Sequence, residues 1–288
     1  MSATLAQLRA LTRQAGGRAA ALPADGALRA RTSLITPDSV TALRNLLRVR
    51  APSTATPAAA RDRALPGAEI APGLRLITAR LPFGGLPEQI DGAFDRRPDF
   101  DPCRVLFFDT ETTGLAGGAG TRAFMIGAAH WDGTDIVVRQ LVIATLAAEP
   151  AMLAEFARWL TQGTVLASYN GKSYDAPLLR TRYRLARQAN PLAGLEHVDL
   201  LYPSRRRYRG RFENCRLVTI ERRVLGIVRE DDLPGSEAPA AWLAYLRGGS
   251  AAKLRRVGEH NHQDVLSLAR LLLHLAGWEA TDCLVASN

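Results

Sequence analysis

Arg104-Val105-Leu106-Phe107-Phe108 runs directly into Asp109-Thr110-Glu111, and this junction constrains the fold more than any other stretch. A short, bulky run of β-branched and aromatic side chains reads as a buried strand. Side chains alternate along a strand, so Asp109 and Glu111 leave it on the same face. Carboxylates held that close repel, and a proton or a cation must neutralise them. Oxygen ligands of this kind suit a divalent ion, Mg²⁺ or Mn²⁺.

Regular patterning begins near residue 102. A strand over 104–109 is followed by the Gly-rich turn 116–120. Strands over 123–131 and 135–143 are joined through Asp132-Gly133, a strong hairpin signal. A helix is expected over 149–161, a strand over 164–168, a helix over 174–188 and a strand near 197–201. Helices follow near 214–225 (Asn214 as cap, Gly226 as stop), 239–247 and 251–276. Three strands able to pair antiparallel, then alternating helix and strand, then helices, predict an α/β protein with a mixed sheet. Residues 66–101 alternate Gly, Pro and apolar groups and read as short strands and turns packing on that core. Residues 1–65 read as an Ala/Arg-rich leader, partly disordered, with one helix expected from Thr36 and Pro37.

Two further acids fall where the first pair needs them. Asp175 opens a helix just after strand 164–168, and Asp264 lies in the last long helix. His260 stands four residues before Asp264 and shares its helix face, whereas His262 points elsewhere. Taken singly, each has a bland alternative. Asp109 and Glu111 can be a solvated strand end. Asp175 can be a first-turn acid favoured by the helix dipole, with Ser173 as cap. His260 can be a packed histidine. Asp199, at the end of the strand near 197–201, looks like a fifth ligand.

The order Asp109-Thr110-Glu111-Thr112-Thr113-Gly114-Leu115, then Asn170-Gly171-Lys172-Ser173-Tyr174-Asp175, then His260-Asn261-His262-Gln263-Asp264 resembles the three motifs of the DEDD 3′–5′ exonucleases. The resemblance narrows to the YprB-type group and covers roughly residues 65–276. It implies an RNase H-like mixed sheet, three antiparallel and then parallel strands, flanked by helices over residues 102–278. It also implies hydrolysis of terminal phosphodiesters with two divalent cations, Mg²⁺ or Mn²⁺, releasing nucleoside 5′-monophosphates. By that resemblance Asp109, Glu111, Asp175 and Asp264 hold metal. Thr110, Leu115 and Asn170 contact the terminal nucleotide, and His260 orients or deprotonates the attacking water. The resemblance does not make Asp199 a ligand and leaves it to hydrogen bonding near the site. In that family a His stands five residues before the last Asp, or a Tyr four before it. Here Glu259 occupies the first place and His260 the second. DNA and RNA remain open as substrates, as does a non-catalytic nucleic-acid-binding module on the same fold.

The net charge of +9 points to an acidic partner, most simply nucleic acid, and the resemblance to the DEDD exonucleases implies a single-stranded 3′ end. Lys172 and Lys253 are the only lysines, so the arginine excess also fits GC-rich coding DNA. The run Tyr202-Pro203-Ser204-Arg205-Arg206-Arg207-Tyr208-Arg209-Gly210-Arg211-Phe212 reads either as a single-strand binding segment or as a solvated basic loop. No apolar run reaches about 18 residues, and no secretory signal opens the chain, so no membrane partner is expected. Cysteines 103, 215 and 283 are odd in number and far apart, which suits a reducing cytoplasm rather than a disulfide framework.

Overall fold

Phe107 and Phe108 are both fully buried and point to opposite faces of their strand, so each face needs a covering layer. Phe107 meets Trp131 edge-on at 4.9 Å between ring centroids, and Phe108 meets Phe156 at 6.2 Å on the other side. The computed structural model describes residues 62–114, 120–230 and 233–278. The leader helix expected from Thr36, Leu115, most of the Gly-rich turn and Cys283 lie outside the described residues.

Seven strands form one sheet: β1 (Ala68–Ala71), β2 (Leu74–Pro82), β3 (Val105–Thr112), β4 (Ala123–Asp132), β5 (Asp135–Ile143), β6 (Val165–Ser168) and β7 (Glu196–Asp199). Their spatial order is β1-β2-β5-β4-β3-β6-β7. The neighbours from β1 to β3 are antiparallel, and β6 and β7 add in parallel. β2 pairs with β5 along its whole length, from Leu74 opposite Ile143 to Pro82 opposite Asp135. The segment expected to lean on the core therefore extends its sheet. In the hairpin, Asp132 pairs with Asp135, and Gly133 takes the left-handed φ of 64° that the tight turn requires.

The helices are α1 (Glu149–Arg158), α2 (Asp175–Leu185), α3 (Leu201–Tyr208), α4 (Leu217–Ile220), α5 (Ala238–Leu246) and α6 (Ala252–Leu275). Met152 and Phe156 of α1, Leu179 and Tyr183 of α2, and Trp242 of α5 pack in the layer that holds Phe108. Tyr208 of α3, Ile220 of α4 and Leu268 and Leu272 of α6 pack in the layer that holds Phe107. Trp242 stacks on Phe124 at 5.1 Å and donates its indole N–H to the Ile143 carbonyl at 2.8 Å.

Three local expectations change. The Arg-Tyr run begins as a helix, not a loop, because Leu201, Ser204 and Tyr208 recur at helical spacing and are buried. Pro203 sits in the first turn, where its missing N–H costs nothing. The helix expected over 214–225 is regular only through α4 and then widens into a π-turn over Glu221–Leu225, ending at Gly226 with φ 68°. Asn214 does not cap it: the helix starts at Leu217 with Arg216 in the cap position and no side-chain cap bond, and the Asn214 side chain accepts instead from the Arg216 N–H at 2.9 Å and the Thr219 hydroxyl at 2.8 Å. Ser173 does not cap α2; its hydroxyl lies 3.3 Å from that of Tyr202.

β3, β6 and β7 run parallel, so their carboxyl ends share one edge of the sheet, the edge where α2 and α3 begin. Open α/β sheets bind ligands at such an edge.

Candidate functional site

Asp109 and Glu111 extend the side of β3 that carries Phe107, the side α6 covers. Glu111 is 8% exposed. One ligand atom from each of Glu111, His260 and Asp264 lies within 4.8 Å of the other two. The i, i+4 relation in α6 is realised, with His260 Nε2 3.5 Å from Asp264 Oδ2. Asp175, the first residue of α2, belongs to the opposite layer and accepts a hydrogen bond from the Thr110 hydroxyl. Asp109, Thr110, Asn170, Tyr174, Asp175 and Leu178 line one cleft of about 400 Å³.

The electrostatics match that crowding. Burial pushes the Asp109 carboxyl well above its ordinary range, and the charges of Asp264, Asp175 and Glu111 push it further. Asp175 rises to about 6, mainly through burial, against the pull of the Thr110 hydroxyl. Asp264 also rises through burial, while Arg229, and His260 whenever its ring is protonated, oppose the shift. Crowded carboxylates beside one imidazole, only partly balanced by Arg229, form a donor set that fits a hard divalent cation.

A buried row holds Asp109 in place. Asp109 of β3, Gly127 of β4 and Gln140 of β5 are successive cross-strand partners. Asn261 of α6, fully buried, lies over the gap at Gly127. It donates to Asp109 Oδ2 at 2.9 Å and accepts from Gln140 Nε2 at 2.9 Å; Gln140 also donates to the Gly258 carbonyl at 2.7 Å. A Cβ at position 127 would come within 2.0 Å of Asn261 Oδ1. Gly127→Ala is expected to cost about 1 to 3 kcal/mol by overpacking and to weaken Mn²⁺ binding about tenfold or more, since partners that orient ligands carry that much affinity. Thermal melts and calorimetric Mn²⁺ titration measure the two effects.

A second buried unit grips Asp264. Glu221, fully buried in the π-turn, accepts from Arg229 Nε at 2.8 Å and Nη2 at 2.5 Å. Arg229 Nη2 also donates to Asp264, and its Nη1 lies 3.1 Å from His260 Nδ1. An arginine only donates, so this contact assigns the acceptor role to Nδ1 and the proton of the neutral ring to Nε2. In this arrangement His260 presents an N–H, not a lone pair, on the Asp264 side.

Asp199 ties the Asn170 loop to α3. Its carboxylate accepts from the backbone N–H groups of Asn170 at 2.7 Å, Lys172 at 3.0 Å and Leu201 at 3.1 Å. Asn170 itself holds a left-handed φ of 68°, a conformation asparagine tolerates.

Of the residues expected from sequence, Asp109, Thr110, Asn170 and Asp175 line the cleft, and Glu111, His260 and Asp264 converge beside Asp109. Asn261, Gln140, Arg229 and Glu221 were not expected. Asn261 had a readable signal, a polar residue in the buried series Leu254, Val257, Asn261, Val265 and Leu268. Arg229 and Glu221 had none, because their pairing depends on the π-turn.

A mixed sheet that gathers carboxylates at the end of an interior strand, flanked by helices, is the architecture of an RNase H-like domain. The chain belongs to the RNase H superfamily, whose family model matches residues 106–276. It is 37% identical over 173 residues to the "Uncharacterized protein YprB" of Bacillus subtilis (strain 168), a match that covers 60% of this chain and 42% of that protein. The match thus spans well under two thirds of that relative. Among solved structures, the family B DNA polymerase of the hyperthermophilic archaeon Pyrobaculum calidifontis is similar at 18% identity and TM-score 0.45, over 60% of this chain and 24% of the polymerase. Exonuclease I of E. coli in complex with a dT13 oligonucleotide is similar at 18% identity and TM-score 0.36, over 53% of this chain and 42% of the exonuclease. Among the described residues no helix is long and apolar enough to cross a membrane.

Proposed function

We propose that this protein is a metal-dependent 3′–5′ exonuclease acting on single-stranded nucleic acid ends. Membership of the RNase H superfamily supports a nuclease at the family level. The observation that carries the finer reading is the convergence of Glu111, His260 and Asp264 beside an Asp109 whose own carboxylate is destabilised by burial and then by its neighbours. Asp109, Glu111, Asp175 and Asp264 are the proposed ligands of two Mg²⁺ or Mn²⁺ ions. When bound, such ions supply charge neutralisation, a more acidic water and a stabilised leaving oxygen.

The chain's own residues do the rest. Asn261 aims the Asp109 carboxylate, and the Thr110 hydroxyl aims that of Asp175. Thr110, Asn170 and Leu115 are the proposed contacts of the terminal nucleotide. With its proton on Nε2, His260 suits orienting the attacking water better than deprotonating it. Water attacks the terminal phosphorus, the bond to the 3′ oxygen of the preceding nucleotide breaks, that oxygen takes up a proton, and a nucleoside 5′-monophosphate leaves. The free thiols of Cys103 and Cys215 support a cytoplasmic setting.

Incubation of 5′-labelled DNA and RNA strands of matched sequence, with and without Mn²⁺, tests the reading. Stepwise shortening from the 3′ end in Mn²⁺ alone is the expected result, and the faster strand identifies the sugar. No shortening of either strand would overturn the reading.

A further inference from the structure

The arginine-aromatic run begins on a helix that starts at the candidate site, and the first turn of that helix is tied to the site loop. Asp199 bonds both the Asn170 loop and the N–H of Leu201, and the Tyr202 hydroxyl lies 3.3 Å from that of Ser173. Next to Ser173, Tyr174 lines the cleft while remaining 58% exposed. Tyr202 and Arg205 are spaced i, i+3 on one face of α3, and Arg209, the residue that caps its carboxyl end, follows one turn further on. All three are exposed.

The charges on this face are unbalanced. Arg206 is drawn off to Asp95 and the Phe94 carbonyl, and Glu213 is taken by Arg222 and Arg223. Arg205 and Arg209 have no acidic partner among the described residues. Arg205 also lies near enough to the cleft for its charge to oppose the upward shift of the Tyr169 phenol, and Tyr169 is a cleft residue. From Tyr202 to Arg209 the helix advances about 10 Å, the rise of about three stacked nucleotides.

Building on the exonuclease reading, we propose that Tyr174, Tyr202, Arg205 and Arg209 form a track for single-stranded nucleic acid leading to the cleft, so that nucleotides upstream of the 3′ end bind along α3. Aromatic faces take bases of any sequence, and unpaired guanidinium groups take the phosphates between them. The track makes binding depend on length up to about five nucleotides and leaves the end nucleotide's own contacts untouched.

Fluorescence anisotropy with the full chain tests this, using labelled single strands of 3 and 10 nucleotides, as oligothymidylate and as oligouridylate, with phosphorothioate linkages to slow hydrolysis. The wild type is expected to bind the 10-mer at least tenfold more tightly than the 3-mer. Arg205→Gln/Arg209→Gln should erase most of that preference by weakening the 10-mer far more than the 3-mer, and reduce the slope of log K against log salt for the 10-mer by about 1.4, the contribution of two phosphates on a single strand. Tyr202→Leu should weaken the 10-mer with the salt slope unchanged. Both arms separating by length means that the track reads the common backbone; only one arm doing so confines it to that sugar.

Absence of a length preference in the wild type, a wild-type preference and slope in the double variant, or equal loss on both lengths would each overturn the track. The exonuclease reading stands apart, on Mn²⁺-dependent shortening. Length-dependent binding without shortening sinks that reading and keeps the track, and shortening without length dependence does the reverse.

Discussion

Asp109→Asn should reduce Mn²⁺-dependent trimming to below about a thousandth of the wild-type rate and at the same time make the metal-free protein harder to melt. Both effects follow from the same charges. The Asp109 carboxyl is held well above its ordinary range by burial and by Asp264, Asp175 and Glu111. An amide at this place keeps an oxygen for the Asn261 N–H at 2.9 Å and removes the repulsion. The gain should be on the order of 1 to 2 kcal/mol, or about 2 to 8 °C in melting temperature.

The pH dependence of stability has a definite sign. Folded-state values raised above unfolded ones mean that the folded protein binds more protons. The stabilising effect is complete below the unfolded carboxylate value near 3.8 and is lost as pH rises through the folded value, about 6 for Asp175. Metal-free wild-type protein should therefore lose stability between about pH 4 and pH 6, and Asp109→Asn should lose less. Mn²⁺ at about a hundred times its dissociation constant should return about 3 kcal/mol to the wild type at pH 7 and little to the variant. Scanning calorimetry over pH, with and without Mn²⁺, measures all three. A variant that melts lower than wild type in the absence of metal would show that Asp109 is not under electrostatic strain.

Arg229→Met should produce the largest loss of stability of any single change near the site. Glu221 is fully buried, and Arg229, whose side chain is 8% exposed, donates to both of its oxygens. Removing the guanidinium leaves a buried carboxylate without its cation, a change that costs about 3 to 5 kcal/mol, or about 6 to 20 °C in a domain of this size. Asp264 loses a donor and His260 Nδ1 loses its neighbour at the same time. Glu221→Gln/Arg229→Met removes both charges and should recover much of the stability without restoring the grip on Asp264. The double variant separates the two roles: its melting point should approach wild type, while its Mn²⁺ affinity, read by titration calorimetry, should stay low. Equal recovery of both would mean that Arg229 serves the fold alone.

The Arg-rich stretch shows where pattern reading stops. Its arginines have good intrinsic helix propensity and Pro203 falls in a permitted first turn. Its apolar stripe, however, is only Leu201 and Tyr208 with Ser204 between them, too sparse to announce a helix. β1 and β2 were expected as short strands leaning on the core, but not as members of its sheet. β1 is mostly exposed and β2 only partly buried, and what makes them part of the sheet is the nine-residue register of β2 with β5, to which β1 adds as the edge strand.

The sequence alone determined two things firmly. The two-residue period of β3 puts Asp109 and Glu111 on one face, and the near-four-residue period of α6 puts His260 and Asp264 on one face. Both are consequences of local backbone geometry, which any stretch of the right residues carries with it. Tertiary structure alone decided which partners those side chains meet. Asn261 reaches Asp109 only because Gly127 leaves a gap in the neighbouring strand, and Arg229 reaches Asp264 only because the π-turn turns Glu221 inward. Those contacts join residues 35 and 152 positions apart in the chain. Their existence depends on how layers close over one another, and no periodicity along the chain encodes that.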